Sequence, residues 1–477
     1  MRRFTVFDTL SRETRGFAPL VPPKVGLFVC GLTPYSEPHV GHAKLAVTFD
    51  VVARALRHWG YRVFYVQNVT NLDDRLIARG AEEGIDPLAL AERNFHSWME
   101  SMERLGVRSV NYYPRATDYV PEIVAQVEAL VAKGYAYASE GSVYYDVARF
   151  PAYGRLSGQR TEALRAGARV EVDHSKRSAE DFVLWKAATP GEPSWPSPWG
   201  PGRPGWHIED TAITVRLLGP RYDIHGGGVD LKFPHHEAEI AQAEAATGEA
   251  PLVNYWMHVG LLMLRGEKMS KSLGNVVGLT DALDRFSPSV VRFFYLNAHY
   301  RSPLDFVPGK SLEEAREAYA TLSAPAERLA AALAAGERDG SDLPETVERD
   351  AEATVEALDA AMADDFNTRE AIAGLFRWGR TIAPHLDALE TLRTDAVATL
   401  DEPYEWAREV LGLLESAPVR PDLGPAVEVA IQARARARQR GDYAEADRIR
   451  DELAAVGIQL QDAGGTTRWK RSPPSGP

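Results

Sequence analysis

The sequence predicts an α/β protein: a doubly wound Rossmann-type domain that carries an inserted connective domain and is followed by a helical bundle and a small C-terminal domain. The sheet is predicted from a buried strand at residues 25–30, a helically spaced stretch at 45–59 and a second buried strand at 62–69. Strand, helix and strand in this order are typical of parallel βαβ units. The bundle is predicted from Ala-, Glu-, Leu- and Arg-rich sequence beyond Ser311 that keeps helical periodicity through Leu414.

The insertion is predicted from a change in amino-acid composition, because glycine, proline and tryptophan become frequent between residues 134 and 201. Strands are expected at 142–147 and near 222–225 and 256–259. A last helix is expected at 426–456, where it carries Arg434, Arg436, Arg438 and Arg440. The predicted boundaries are 1–133 and 202–262 for the sheet domain, 134–201 for the insertion, 263–310 for a loop-bearing region, 311–415 for the bundle, 426–471 for a C-terminal region and 472–477 for a disordered tail.

Composition and charge exclude several classes of protein. The chain has 477 residues with 45% hydrophobic and 25% charged side chains, as is ordinary for a soluble globular protein. Its net charge of −13 means that a nucleic acid would have to bind to a local basic patch. The single cysteine excludes an internal disulfide and fits a reducing compartment. With no signal-peptide core and no apolar run of membrane-spanning length in the sequence, we expect a cytoplasmic protein without a membrane partner, and a monomer.

A histidine and a glutamate four residues apart, His235 and Glu239, follow a glycine-rich run at 226–228. Pro234 suits the first turn of a helix, and the alanine- and glutamate-rich stretch after it forms helix readily. The imidazole and the carboxylate then share one helical face, and a third ligand from a distant strand would close a zinc site. The chain's only cysteine, Cys30, ends a predicted strand. Taken alone, the pair is more often a solvated surface pair.

Two further segments predict a phosphate site. His39, Gly41 and His42 lie just after the first strand, where imidazoles at a helix N-terminus can donate to phosphate oxygens. Lys268 and Lys271 belong to the run Lys-Met-Ser-Lys-Ser, a cationic loop that can close over a triphosphate and neutralise departing pyrophosphate. The alternative interpretations are two polar loop histidines and a solvated Lys/Ser loop.

Residues 39–42 resemble the HIGH motif, and residues 268–272 the KMSKS motif, of class I aminoacyl-tRNA synthetases. Further blocks resemble one family among them, the cysteinyl-tRNA synthetases. These blocks are residues 30–33, 68–74, 205–209, 226–239 and 364–368, in the family's order along nearly the whole chain.

The resemblance implies a two-step reaction with ATP, an amino acid (cysteine first) and tRNA as partners. The amino-acid carboxylate attacks the α-phosphate of ATP, and the acyl group then passes to the 3′-terminal ribose of tRNA. Mg²⁺ is expected with ATP. The implied roles are phosphate contacts for His39, His42, Lys268 and Lys271, ATP binding for Gly41, Gly226, Gly227, Gly228, Asp230 and Lys271, and an amino-acid pocket with Thr33, Trp206 and His225. Gly228 could equally be a turn glycine, Asp230 a helix cap and Trp206 a core residue.

In the family, zinc is held by two cysteines, a histidine and a glutamate, and binds the substrate thiolate. Cys30, His235 and Glu239 occupy three of those positions, and Asp210 stands where the second cysteine is expected. An aspartate can bind Zn²⁺ through oxygen, but the site becomes less thiophilic. Three outcomes are compatible: zinc with cysteine as substrate, zinc or another divalent metal with a different amino acid, or no metal, with Asp210 facing a substrate ammonium. Cys30 could also be a small buried hydrophobe.

The resemblance therefore implies an ATP-dependent enzyme that activates cysteine, or a related amino acid, and charges tRNA. The bundle is then tRNA-binding, and the region 426–471 reads the anticodon, where Trp469 among cationic side chains suits unstacked bases. One alternative is an adenylate-forming ligase that joins an amino acid to a small amine such as an amino sugar; another is a paralogue that charges a non-thiol amino acid. A non-catalytic binding protein is a third, disfavoured by the Lys/Ser loop.

Overall fold

The structure of the chain is a computed structural model that describes residues 1–159, 175–264, 267–268, 277–414, 431, 434–435, 437–438, 443–455, 458–463 and 466–471. It divides into two compact units, residues 1–414 and 415–477. Among the described residues, no helix is both long and apolar enough to cross a lipid bilayer.

The helices are α1 Val40–His58, α2 Asp74–Glu83, α3 Pro87–Arg104, α4 Val120–Ala132, α5 Trp206–Leu218, α6 His235–Thr247, α7 Leu279–Arg285, α8 Pro288–Leu296, α9 Ser311–Ala334, α10 Glu345–Ala363, α11 Thr368–Leu386, α12 Thr394–Trp406 and α13 Tyr443–Ala455. The strands are β1 Thr5–Asp8, β2 Glu13–Gly16, β3 Lys24–Leu32, β4 Arg62–Val69, β5 Ala136–Ser139, β6 Ser142–Tyr145, β7 Phe182–Ala187, β8 Gly202–Pro204, β9 Tyr222–Gly228, β10 Val253–Val259, β11 Leu262–Leu264, β12 Glu267–Lys268, β13 Leu304–Phe306, β14 Ile458–Ala463 and β15 Thr466–Arg471.

A four-stranded parallel sheet in the order β10-β9-β3-β4 forms the centre of the first unit. Central strand β3 has a run of apolar side chains because helices cover both faces of such a sheet. The predicted βαβ unit is β3, α1 and β4. Helix α1 begins at Val40, within the motif predicted to start a helix, and Nδ1 of His39 accepts the N–H of Gly41 and caps the helix.

The connections of this sheet reverse between its two central strands. From β3 the chain passes through α1 to β4 on one side, and from β9 it passes through α6 to β10 on the other. Strands β3 and β9 are neighbours, paired at Leu27 and Ile224. A reversal of this kind opens a crevice at the carboxyl ends of the two strands, where ligands of doubly wound sheets bind. The motif that contains Gly41 follows the carboxyl end of β3, and the glycine run 226–228 forms the carboxyl end of β9.

A second sheet, antiparallel in the order β5-β6-β7-β8, forms from the region predicted as an insertion and from Gly202–Pro204 just beyond it. Its core packs Val143, Tyr145 and Trp185. The buried guanidinium of Arg203 on β8 reaches Asp74 at the start of α2 and so ties this sheet to the loop after β4. The boundaries 134–201 stay a prediction.

Helices α9 to α12 follow the sheet region within the same compact unit. Two sets of hydrogen bonds connect α1 and the residue after it to α8 and to this helical region. Arg292 on α8 donates to Oδ2 of Asp50 at 2.9 Å and to the carbonyl of Leu411 at 2.7 Å. The indole N–H groups of Trp59 and Trp406 both donate to Asp359.

The second unit contains α13 and the antiparallel hairpin β14-β15, and Ile431, Leu453 and Ile458 pack together in it. Of the helix predicted at 426–456, the described continuous part is Tyr443–Ala455. Trp469 lies on β15 opposite Leu460. Arg436, Arg440 and the tail 472–477 lie outside the described residues.

Candidate active site

A cavity of about 450 Å³ opens at the carboxyl ends of β3 and β9, at the reversal of the sheet connections. Its lining includes Cys30, Thr33 and Trp206, which were predicted to contact the amino acid or its metal, and His39 and Asp230, which were predicted to contact ATP. We call these two groups the amino-acid end and the nucleotide end, after the roles predicted for their residues.

Four predicted metal ligands converge at the amino-acid end. Cys30 is near the end of β3, Asp210 is in the first half of α5, and His235 and Glu239 share one face of the first turns of α6. Nε2 of His235 is 3.4 Å from Sγ of Cys30, 3.1 Å from Oδ2 of Asp210 and 3.2 Å from Oε1 of Glu239. All four side chains are buried. Segments far apart in sequence therefore bring one sulfur and two carboxylate oxygens within 3.4 Å of one imidazole nitrogen.

Hydrogen bonding alone does not account for this cluster. Nε2 of His235 carries at most one proton, yet it lies within 3.4 Å of a sulfur and two carboxylate oxygens. Both oxygens of Glu239 receive no hydrogen bond from the described residues. Two ligand atoms bound tetrahedrally to one zinc ion lie roughly 3.3–3.6 Å apart, given Zn–N, Zn–O and Zn–S bonds of about 2.0–2.3 Å. The three distances of 3.1–3.4 Å are close to that spacing, so the donor set fits a divalent cation.

The electrostatics of the cluster point to the same ligand. Burial, with Asp210 and then Glu239 beside it, raises the pKa of the Cys30 thiol well above its usual range. Burial and the charge of Asp210 likewise raise the pKa of Glu239. Because both groups resist losing a proton when the site holds only protein atoms, a bound cation would supply the positive charge that a thiolate and two carboxylates need.

A second layer of contacts orients two of the four side chains. Nδ1 of His235 is 2.8 Å from Nδ1 of His207, so hydrogen bonding on that side leaves Nε2 facing the cluster. Burial lowers the pKa of His207, which keeps that imidazole neutral. The carboxamide of Asn68 donates to Oδ1 of Asp210. The ring of Trp206 stacks on His235 with centroids 4.3 Å apart and covers the cluster on the cavity side.

Thr33 and Trp206, both predicted for the amino-acid pocket, line this end, and Arg75 joins them. The guanidinium of Arg75 lies over the ring of Tyr35 and donates to Oγ1 of Thr33 at 3.3 Å. His225, the third predicted pocket residue, is fully buried behind Glu239, with Nδ1 2.7 Å from the hydroxyl of Tyr222. The structure therefore places it behind the cluster, and its role in the pocket stays a prediction.

The nucleotide end is built on the start of α1. His39 and His42 stack with ring centroids 3.6 Å apart. Nδ1 of His39 accepts the N–H of Gly41 at 3.1 Å. Val40 donates its N–H to the carbonyl of Val277. The backbone between His39 and His42 is thus hydrogen-bonded to the segment that follows the Lys/Ser loop in the chain.

Lys44, one turn further along α1, also lines the cavity. Its ammonium donates to the carbonyls of Gly260 at 2.6 Å and Ser302 at 2.8 Å, and burial lowers its pKa to about 8. This buried cation joins α1 to the chain that leaves β10 towards the Lys/Ser loop.

The glycines predicted for ATP binding have different surroundings. A Cβ atom on Gly226 would lie 2.1 Å from the ring of Phe49, and one on Gly227 would lie 2.5 Å from the ring of His236. Packing therefore already excludes a side chain at these two positions. Gly228 lines the cavity, and a Cβ there would lie 2.6 Å from Oδ1 of Asp230. ATP contacts by these residues stay predictions.

The two lysines of the Lys/Ser loop are only partly described. The backbone of Lys268 pairs with Met263 in β11. Lys271 lies outside the described residues.

Sequence reasoning assigned no role to Asn68, His207, Lys44 or Arg75. Asn68 and His207 lie inside blocks named for the family resemblance, and Lys44 follows His42 by two residues. Their closeness to these motifs was the one sequence feature that could have indicated a role in the site. Their contacts depend on tertiary structure: the partners of Lys44, for example, are 216 and 258 residues away.

Three family models match the chain. The model described as "tRNA synthetases class I (C) catalytic domain" matches residues 16–317. The "DALR domain" model matches residues 357–415, and the "Cysteinyl-tRNA ligase anticodon binding domain" model matches residues 420–469.

Curated relatives are similar along the whole chain. The cysteine–tRNA ligase of Methylococcus capsulatus is 48% identical over 476 residues, which cover 98% of this chain and 99% of the relative. The cysteine–tRNA ligase of Alkalilimnicola ehrlichii is 47% identical over 480 residues, with the same two coverages. That of Thermococcus onnurineus is 42% identical over 475 residues, covering 98% of each chain.

Solved structures are similar in fold. Methionyl-tRNA synthetase of Mycobacterium tuberculosis, in complex with methionyl-adenylate, matches with a TM-score of 0.61 and 16% identity. The match covers 83% of this chain and 92% of that one. The predicted class, a Rossmann-type α/β catalytic domain followed by helices, is confirmed.

Proposed function

Because the chain belongs to the cysteine–tRNA ligase family of class I tRNA synthetases, we propose that it activates cysteine with ATP and transfers the cysteinyl group to tRNA. The observation that carries this proposal is the single cavity with Cys30 at one end and His39, His42 and Asp230 at the other. An amino acid and a nucleotide can meet there within one enclosed space.

In the first step the chain supplies position and charge. The cysteine carboxylate attacks the α-phosphorus of ATP, and the bond to pyrophosphate breaks. The backbone N–H groups at the start of α1 favour negative charge. Because Nδ1 of His39 accepts a backbone N–H, its neutral ring carries the proton on Nε2, which can donate to a phosphate oxygen. Lys268 and Lys271 are proposed to neutralise the departing pyrophosphate, with Mg²⁺ bound to ATP itself.

At the other end, Cys30, Asp210, His235 and Glu239 are proposed to hold one Zn²⁺. When bound there, zinc supplies a soft Lewis acid that prefers a thiolate to a hydroxyl group, which distinguishes cysteine from serine. Trp206, stacked on His235, lines this end together with Thr33 and Arg75. The replacement of one sulfur ligand by Asp210 makes the site harder, so we expect weaker thiol selectivity than a two-cysteine site has.

The acceptor in the second step is tRNA. The anticodon-binding family model matches residues 420–469, and the relatives of known name match over the same length. Trp469 on β15, with its cationic neighbours, is proposed to contact unstacked bases. We retain the predicted boundaries 311–415 and 426–471 as tRNA-binding regions and propose a cytoplasmic location. No observation favours a small amine as acceptor.

The test is ATP–pyrophosphate exchange screened across the amino acids, with zinc content measured on the same preparation. We expect cysteine-dependent exchange, about one zinc per chain, and charging of tRNA when it is added. Exchange with no amino acid would refute the proposal. Exchange with cysteine but transfer only to an amino sugar would replace the acceptor, and exchange with a different amino acid would replace the substrate.

The Asp210→Cys variant tests the metal ligand. We expect higher zinc affinity and a larger preference for cysteine over serine, because a second sulfur makes the site softer. No change in either quantity would remove Asp210 from the ligand set.

A further inference from the structure

Asn68, the penultimate residue of β4, lies between two of the segments that form the metal-binding cluster. It is buried, as is its neighbour Asp210. Its Oδ1 atom accepts the backbone N–H of Gly31 at 2.6 Å, and its Nδ2 atom donates to Oδ1 of Asp210. One carboxamide thus joins the residue after Cys30 to a ligand on α5.

The orientation of this carboxamide is determined by its partners. A backbone N–H can only donate, so the atom facing Gly31 must be the carbonyl oxygen. The NH₂ group must then face Asp210. The backbones of Gly31 and Asn68 are also in close contact, because a Cβ at position 31 would lie 1.8 Å from the backbone carbonyl of Asn68. Asn68 therefore presents a fixed hydrogen-bond donor to residue 210.

A fixed donor has a specific consequence for an aspartate. With Oδ1 of Asp210 engaged by Asn68, Oδ2 is the oxygen that faces the cluster, 3.1 Å from Nε2 of His235. A carboxylate held in this way offers one oxygen instead of two. The cluster then has four ligand atoms, the number that zinc takes in tetrahedral sites.

We infer that Asn68 is a positioning residue that adapts the cluster to an aspartate ligand: it binds Oδ1 of Asp210 and leaves Oδ2 as the only oxygen for the metal. A thiolate at residue 210 has a single ligand atom and accepts hydrogen bonds weakly, so it needs this donor much less. The inference rests on the proposed zinc site and names the residue that makes Asp210 an effective substitute for cysteine.

A double-mutant cycle in zinc affinity tests the inference. Affinity is measured by competition with a chromophoric chelator for the wild-type chain, Asn68→Ala, Asp210→Cys and the double variant. We expect Asn68→Ala to weaken zinc binding about 10–100-fold when residue 210 is aspartate, as outer-layer partners of metal ligands do. We expect a loss of less than about 3-fold in the Asp210→Cys background, since only the interaction with Asp210 is specific to the first background.

The contribution of the Gly31 contact to zinc affinity cancels in this cycle, because Asn68→Ala removes that contact in both backgrounds. An equal loss of affinity in both would overturn the inference and give Asn68 a merely structural role. If Asn68→Ala does not fold, Asn68→Ser enters the same cycle, with the same two outcomes. A folded wild-type chain that binds no zinc would instead overturn the proposed metal site, and the two failures are therefore distinguishable.

Cobalt provides a second measurement that is independent of activity. In the Co²⁺-substituted protein, a four-coordinate site absorbs visible light more strongly than a site with a higher coordination number. We expect Asn68→Ala to lower the absorption when residue 210 is aspartate, because the released carboxylate can bind through both oxygens. Unchanged spectra would contradict the proposed one-oxygen binding.

Discussion

The two ends of the cavity make opposite electrostatic demands. At the amino-acid end a thiol and two carboxylates, those of Cys30, Asp210 and Glu239, are buried near one another, and a cation would stabilise their charged forms. At the nucleotide end the start of α1 and the buried ammonium of Lys44 favour an anion. One cavity can therefore hold a metal-bound side chain and a phosphate chain at once, with the amino-acid carboxylate and the α-phosphorus between them.

The two ends also differ in how they are built. The nucleotide end depends largely on one local element, the first turn of α1, in which His39 and Gly41 bond to each other. The amino-acid end needs β3, α5 and α6 to come together. The departure from the family pattern at Asp210 lies at the amino-acid end. A ligand can change there when its hydrogen-bonding partners accommodate the new side chain, whereas the helix start depends on the backbone.

The largest expected effect is loss of the central ligand. His235→Ala should abolish zinc retention and lower cysteine-dependent exchange by more than the roughly 100-fold typical of outer-layer changes. ATP affinity, measured by calorimetry, should stay the same because His235 is at the opposite end from the phosphates. The control is His96→Ala, which removes an exposed histidine on α3. A parallel loss of ATP binding would show that the two ends are not separable.

The complementary change is His42→Ala at the nucleotide end. We expect exchange to fall by roughly 10²–10³-fold, the cost of removing one donor to developing charge. Zinc content should be unchanged, since His42 is not one of the four proposed zinc ligands. Loss of zinc from this variant would contradict the prediction that the two ends bind their ligands independently.

A smaller effect is expected for His207→Ala, which removes the 2.8 Å partner of Nδ1 of His235. Zinc affinity should fall about 10–100-fold, because His235 loses its orienting hydrogen bond. Chelator competition measures this, and the ATP concentration for half-maximal exchange should not change. An affinity equal to that of wild type would mean that α6 alone orients His235.

The smallest effect concerns the stability contributed by Lys44. Burial lowers its pKa to about 8 from the usual 10.5. Between those values the unfolded chain binds more protons, so the contribution of Lys44 to stability rises with pH and its burial is most unfavourable below pH 8. Relative to Lys44→Met, the wild-type free energy of unfolding should increase by about 2 kcal/mol between pH 7 and 9.5. Denaturant titrations measure it, and a flat difference would contradict a desolvated ammonium.

Much of the fold could be predicted because its signals are local. The strand Arg62–Val69 has the predicted bounds, since four consecutive β-branched or aromatic residues, 63–66, after the turn at Gly60 are typical of a strand. Helix α1 begins within the motif at residues 39–42, as predicted, although its cap is a histidine, a residue that sequence rules do not treat as a cap. The spacing of His235 and Glu239 correctly placed both on one helical face.

The sequence by itself determined the α/β class, the family and the types of ligand atom, because periodicity and motif order are properties of neighbouring residues. Only the tertiary structure decided that Cys30 and Asp210 meet His235 within hydrogen-bond distances, that Asn68 engages one oxygen of that aspartate, and that Gly226 is required by Phe49. These contacts join segments up to 205 residues apart, and their geometry follows from the packing of the sheet and its helices, which local patterns do not encode.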